Sequence, residues 1–172
     1  MKRKVLLLVA VASVATLAFA PASGATSPED VTITIAETFH TSAPFVTGDI
    51  TAVGGIFGTG TSGALSSVGF KPVGNAVKFP PKDHVFVYTA EDHYTFPDGT
   101  FNITFEASCN FVSFDEQTGH FVNACAGNWQ VNGGTGSYSR LKGAGTFIET
   151  QELDFSFAGT GFITLVGRMH VD

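Results

Sequence analysis

Phe101-Asn-Ile-Thr-Phe-Glu-Ala-Ser-Cys-Asn-Phe111 decides the fold class. Its apolar residues fall at every second position: Phe101, Ile103, Phe105, Ala107, Cys109 and Phe111 share one parity, and Asn102, Thr104, Glu106, Ser108 and Asn110 share the other. A period of two is the signature of a strand with one face in a core and one face in solvent. Twenty residues on, Phe121, Cys125, Trp129 and Val131 repeat the pattern in the segment 120–131. Asp115-Glu-Gln-Thr-Gly119 between the two has turn composition. A hairpin closed there sets Cys109 opposite Cys125, because residue 117 is their midpoint. Directly opposed positions bring Cβ atoms to ~4.5–5.5 Å, within adjustment of disulfide geometry. The pair is expected to be a structural disulfide, with Trp129 and a row of Phe on the same interior face.

The same period extends outward along the chain. Val31-Thr-Ile-Thr-Ile-Ala-Glu-Thr-Phe39 alternates strictly. Residues 48–57 and 63–70 read as strands joined by Gly58-Thr-Gly-Thr-Ser62, and Asp83 to Phe96 as one long strand ending in the turn Pro97-Asp-Gly99. Residues 71–82 carry Pro72, Pro80 and Pro81 and read as a loop, a possible lid over one end. After Asn132-Gly-Gly-Thr-Gly136, strands are expected at 143–150, 152–159 and 161–167. No segment between 31 and 168 shows a helical period. About eight antiparallel strands with short turns bury one face and remove their edges most economically as a closed barrel, with a two-sheet sandwich as the alternative. Glycines at 54, 55, 143, 145, 159 and 161 favour the barrel, where Gly marks corners and bulges.

Met1 is followed by Lys2, Arg3 and Lys4, an apolar run Val5–Ala12 and small residues up to Ala25. These are the parts of a secretory signal. The run is short for ~30 Å of hydrocarbon, which speaks against an uncleaved anchor. Pro21 disfavours cleavage after Ala20, so a signal peptide over 1–25 and one β-barrel domain over 26–172 are expected, in a secreted, periplasmic or extracellular setting. Three of the nine basic residues fall in 1–25 and none of the fifteen acidic ones, leaving six against fifteen, a net charge of −9. That charge repels phosphate backbones and excludes nucleic acid as a partner; no basic amphipathic stretch suits a membrane surface after signal cleavage.

Gly127-Asn-Trp-Gln-Val-Asn-Gly-Gly-Thr-Gly-Ser-Tyr-Ser-Arg-Leu-Lys-Gly-Ala-Gly-Thr-Phe147 resembles the strand, Gly-Gly-Thr-Gly turn and Gly-rich strand of the allene oxide cyclase-like barrels, which include plant dirigent proteins and bacterial secreted proteins. Gly48-Asp-Ile-Thr-Ala-Val-Gly-Gly55, Thr61-Ser-Gly63 and Phe96-Pro-Asp-Gly-Thr-Phe101 are similar to the bacterial secreted type. The resemblance covers most of 31–167 and rests on turn glycines, which speak to fold far more than to chemistry. It implies a calycin-like, eight-stranded barrel with an apolar lumen, a homo-oligomer (a trimer in the enzymatic members), and, in those members, cyclisation of an epoxide or steering of phenolic intermediates. They carry an acidic residue on the first barrel strand, a role this resemblance transfers to Glu37.

Glu37 is also singled out by parity, since it shares a face with Val31, Ile33, Ile35 and Phe39. Buried, it is a candidate catalytic acid with a raised pKa; at a barrel rim it is merely solvated. Tyr88 and Tyr94 are candidate hydrogen-bond donors to a ligand in the lumen, with Asp92 between them on the same parity, and both also read as ordinary core tyrosines. Phe105 and Trp129 on the interior face, and Arg140 after the Gly-rich turn, complete the candidate ligand contacts; a solvated turn is the plainer account of Arg140. Asp83-His84 and Asp92-His93, with His40, His120 and His170, give no metal-ligand spacing on one strand face, so no metal and no other cofactor is expected. No nucleophile elbow or phosphate-cradling loop is present. Two functions follow: a barrel that binds a small apolar or aromatic ligand or is structural, and a cyclase or isomerase in which Glu37 acts on a small hydrophobic substrate.

Overall fold

The computed structural model describes residues 25–72 and 85–172. The expected signal peptide, apart from Ala25, and most of the expected lid at 71–82 lie outside these residues, as do Asp83 and His84. Eight strands follow one another: β1 (Glu29–Phe39), β2 (Val46–Val53), β3 (Thr61–Pro72), β4 (Val85–Phe96), β5 (Gly99–Phe114), β6 (Phe121–Gly134), β7 (Leu141–Leu153) and β8 (Gly159–Val171). Each pairs antiparallel with its sequence neighbours, and β8 returns to β1 through the register Ile35↔Ile163, which closes an up-and-down barrel. Closure satisfies the backbone groups that an open edge would leave unpaired. In the β5–β6 hairpin Cys109 lies opposite Cys125, and the two are joined by a disulfide.

The period of two sorts the walls. Val31, Ile33, Ile35, Ile50, Ala52, Leu65, Ile103, Phe105, Phe147, Ile163 and Leu165 point inward and are buried. Trp129 is also fully enclosed, and the glycines of β7 and β8 explain how. Gly145 faces Gly167 across the ladder, and a Cβ on Gly145 would stand 2.8 Å from the indole, while one on Gly167 would collide with it outright. The indole Nε1 donates to the carbonyls of Thr146 and Val166 at 3.0 and 3.2 Å. Glycine inside these strands is therefore room for a ring. The ladder irregularities fall elsewhere, between Ser67 and Gly69 and at two places in β5–β6.

Two strand expectations need correction. The segment 48–57 ends as a strand at Val53; Gly54 and Gly55 take φ of 85° and 49°, open to glycine alone at low cost, and lead a 3-10 turn over Gly55–Phe57. The segment 152–159 is mostly a turn, not a strand. Asp154 organises it, its Oδ1 accepting from the backbone N–H of Ser156 and Ala158 at 2.7 and 3.1 Å. Such an Asx turn competes with the ladder for the backbone, so β7 runs on to Leu153 and β8 starts at Gly159.

Candidate functional site

The two ends of the lumen are built from different residue types. At the end carrying the β2–β3, β4–β5 and β6–β7 turns, Phe57, Phe96, Phe101 and Tyr138 interlock, with ring centroids 5.2–6.2 Å apart. Tyr94 stacks on Phe101 from the lumen side at 5.2 Å. These rings are all buried and fill the bore, as expected for an eight-stranded barrel, whose interior is just wide enough for side chains.

At the opposite end a cavity of about 40 Å³ remains, lined by Glu37 and Phe39 of β1, Val46 of β2, Ser67 of β3, Tyr88, Ala90 and Asp92 of β4, Phe105 of β5, Glu149 and Gln151 of β7 and Ile163 of β8. Half-buried Phe39, Val46 and Ala90 form its outer lip. Such a volume takes roughly three water-sized groups. It accepts the head of a small molecule rather than a whole ring system, since pockets that enclose drug-sized ligands run to about 300–1,000 Å³.

Three carboxyl groups converge here, from three strands: Glu37, Asp92 and Glu149 are 6, 7 and 6% exposed. Glu149 is the hub. It accepts from Tyr88 Oη at 2.9 Å and from Gln151 Nε2 at 2.5 Å, and Gln151 is itself held by Asn123 Nδ2 at 3.2 Å. Glu37 shares a hydrogen bond with Glu149. Burial first, then the charges of Glu149 and Asp92, hold the Glu37 carboxyl well above the usual range. Burial also raises Glu149, against the hydrogen bonds it accepts. The two carboxyl groups thus behave as a coupled pair that shares a proton across their hydrogen bond. Asp92 is pushed up to about 7, chiefly by burial, although the Ser67 hydroxyl donates to it. Burial, with the neighbouring carboxylates, also raises Tyr88 and Tyr94 well above an ordinary phenol.

Three buried polar atoms of this network have no hydrogen-bond partner: Tyr94 Oη, Asn123 Oδ1 and, on the cavity itself, Glu37 Oε2. Gly161, opposite Glu37 on β8, makes the space for that oxygen; a Cβ there would lie 3.0 Å from Oε2 and 2.8 Å from the ring of Phe39. An unpartnered buried polar atom costs about 1–3 kcal/mol, so each of these atoms lowers the stability of the fold.

The structure brings Glu37, Tyr88 and Phe105 together on this cavity and places Tyr94 directly behind it. Trp129 is enclosed in the mid-barrel wall with its N–H already engaged. Arg140 is exposed at the aromatic end, away from the carboxyl groups. Glu149, Gln151 and Asn123 went unrecognised in the sequence. The signal for Glu149 and Gln151 is the parity of β7, where Leu141, Phe147 and Leu153 frame them on the inward face, hidden by an assumed strand break at 151; for Asn123 it is the parity of β6, between Phe121 and Cys125. Among the described residues no group of three His, Cys, Asp or Glu side chains is disposed to hold a metal ion. His93 faces away from the cavity and bonds Asn102 at 2.7 Å.

A second hollow, about 190 Å³, lies outside the bore beside the β5–β6 turn, lined by Ser113, Phe114, Asp115, His120, Phe121, Val122 and Glu152. Of its two carboxylates, Asp115 is spent on the turn itself, accepting from the backbone N–H of Gln117 at 2.8 Å. Compared with family models, with curated proteins and with solved structures, the chain finds no match.

Proposed function

We propose that this barrel binds a small molecule by one end of its lumen, head group in the carboxyl-lined cavity and apolar body against Phe39, Val46 and Phe105. One observation carries the reading: one end of the bore is closed by interlocked rings, while the other keeps a cavity lined by three buried carboxyl groups, where Glu37 Oε2 lacks a partner. A barrel with a purely structural role gains nothing from such groups, because apolar side chains of similar shape would be neutral or stabilising there. The reading includes a secreted, periplasmic or extracellular location, which the Cys109–Cys125 disulfide supports. Native mass spectrometry of the protein recovered from its own host tests it. A small molecule retained by the parent and lost from Glu37→Gln is the expected result; a bare protein mass under every gentle condition, with no shift in melting temperature across a broad ligand panel, overturns it.

A second reading is favoured by the Glu37–Glu149 pair. A carboxyl group that holds its proton beside an acceptor carboxylate, in a water-poor cavity, is equipped for general acid–base catalysis. An isomerase or cyclase of the allene oxide cyclase or dirigent kind, acting on a small hydrophobic substrate, fits this pair, with Glu37 giving the proton and Glu149 stabilising what remains. The two readings separate on the retained molecule. Catalysis requires that the parent protein convert it while Glu37→Gln binds it and returns it unchanged; simple binding leaves it unchanged in both.

A further inference from the structure

We propose that the head group taken by this cavity is a protonated amine, so that the ligand is a small organic cation. The inference rests on the binding reading above and specifies its ligand. Three features of the site point to it. The first is acceptor supply: Glu37 Oε2, buried and unpartnered, shares the cavity with the buried carboxyl groups of Asp92 and Glu149, and a primary ammonium carries three N–H donors and no acceptor. The second is size. A cavity of about 40 Å³ accommodates an ammonium and one or two methylenes, at roughly 10–15 Å³ for each water-sized group, while the rest of the molecule leaves through the lip of Phe39, Val46 and Ala90.

The third is charge. The titratable groups that line the cavity are Glu37 from β1, Tyr88 and Asp92 from β4 and Glu149 from β7, with Tyr94 close enough to feel all three carboxyl groups; β2, β3, β5 and β8 contribute only Val46, Ser67, Phe105 and Ile163. No cationic side chain among the described residues lines it. Arg140, Lys142 and Arg168 are exposed towards the aromatic end, where Arg168 bonds the Pro28 carbonyl and pairs with Asp30 at 3.5 Å. Buried carboxylates need a counter-charge or a proton. Protons serve in the unliganded protein, and an ammonium displaces them, entering as the carboxyl protons leave to solvent. The faces of Tyr88 and Phe105 add a favourable aromatic wall. A neutral alcohol supplies one donor and no charge, and a carboxylate ligand is repelled.

Binding is therefore linked to pH. Asp92, with its pKa near 7, must be ionised to receive the cation. The ionised fraction of such a group rises about tenfold between pH 6 and pH 8, whereas an alkyl amine, ionising near 10 like lysine, stays protonated throughout. The experiment is isothermal titration calorimetry of the purified protein with n-butylamine and n-butanol at both pH values. Butylammonium should bind about tenfold more tightly at pH 8 than at pH 6, with proton release, and butanol at least tenfold more weakly than the amine. Glu37→Gln should weaken the amine at least tenfold, and Asp92→Asn, an isosteric change that keeps the Ser67 contact, should abolish most of the pH dependence. Equal binding of amine and alcohol, or an amine affinity that falls as pH rises, overturns the cation assignment and leaves the lumen-binding reading intact. If amine, alcohol and the neutral aromatic probe phenol all fail to bind the parent protein, both fall.

Discussion

The two ends of this barrel solve the same packing problem with opposite chemistry. At one end Phe57, Phe96, Phe101 and Tyr138 fill the bore with rings in contact. At the other, at the same depth in the same eight-stranded wall, Glu37, Asp92 and Glu149 converge around a cavity. Apart from local ladder irregularities, the strands alternate inward and outward at both ends. The difference lies in what the inward positions carry. In a closed barrel, then, packing and buried polarity can occupy separate ends: the ring-filled half supplies the packing that lets the other half hold three carboxyl groups out of water.

If that division is right, the ends should answer to mutation in opposite directions. Phe101 is fully buried and touches four other rings, so Phe101→Ala should cost about 3–5 kcal/mol in denaturant unfolding. Removing a buried carboxyl should do the reverse. Asp92→Asn should stabilise the protein at pH 8, and a loss comparable to that of Phe101→Ala would show that the carboxyl cluster is part of the structural core.

The next largest effect is on pH. The folded state holds a proton on Asp92 up to about pH 7, against an ordinary value of 3.8, while the unfolded chain has released it. The folded state thus binds more protons in this interval, and its stability falls as pH rises. The contribution is fully present below about pH 4, is lost progressively up to about pH 7 and is then flat, amounting to roughly 4 kcal/mol at 1.36 kcal/mol per unit. Glu37 and Glu149 act in the same sense. The turn carboxylates Asp115 and Asp154, held low by hydrogen bonds, act in the opposite sense and lose their contribution as pH falls through the acid range. Melting temperature should therefore decline between pH 5 and pH 8, and Asp92→Asn should flatten the decline. A melting temperature that rises over this interval would remove the distinction between the two ends.

A smaller effect sharpens the boundary between them. The disulfide spans 16 residues of sequence in a hairpin already laddered along its length. In the chain-entropy account a loop of this size is worth about 3 kcal/mol. Reduction should lower the melting temperature while leaving the relative affinities for amine and alcohol unchanged, because neither cysteine lines the cavity. A change in that ratio on reduction would show that the hairpin shapes the site.

Much of this architecture was legible in the chain itself. The alternation of Phe101–Phe111 and of Val31–Phe39 gave the strands, and the placement of Cys109 and Cys125 about the Asp115–Gly119 turn gave the hairpin register. Glu37 stood out because a carboxyl occupied an apolar parity. Glu149 and Gln151 did not, since their strand was read as ending at 150, and at a strand end a polar residue of inward parity looks solvated. The true boundary depends on Asp154, whose side chain captures backbone N–H groups, and the strand runs three residues further, to Leu153. Gly145 looked like a corner because the sequence does not show that Trp129 lies across it and Gly167. What sequence periodicity conveys is the direction of each side chain; which inward side chains meet across the bore depends on closure, and β1, β4 and β7 come together only there.

The central claim is that the carboxyl groups inside the barrel keep their protons where ordinary carboxyls have lost them. Side-chain carboxyl ¹³C titration by NMR, with assignments from Glu37→Gln, Asp92→Asn and Glu149→Gln, tests it most directly. The account predicts that Asp92 titrates near pH 7 and that the Glu37–Glu149 pair titrates in coupled steps, with one proton retained well above the usual glutamate range. Three independent titrations at about pH 4, the ordinary carboxyl range, would contradict it.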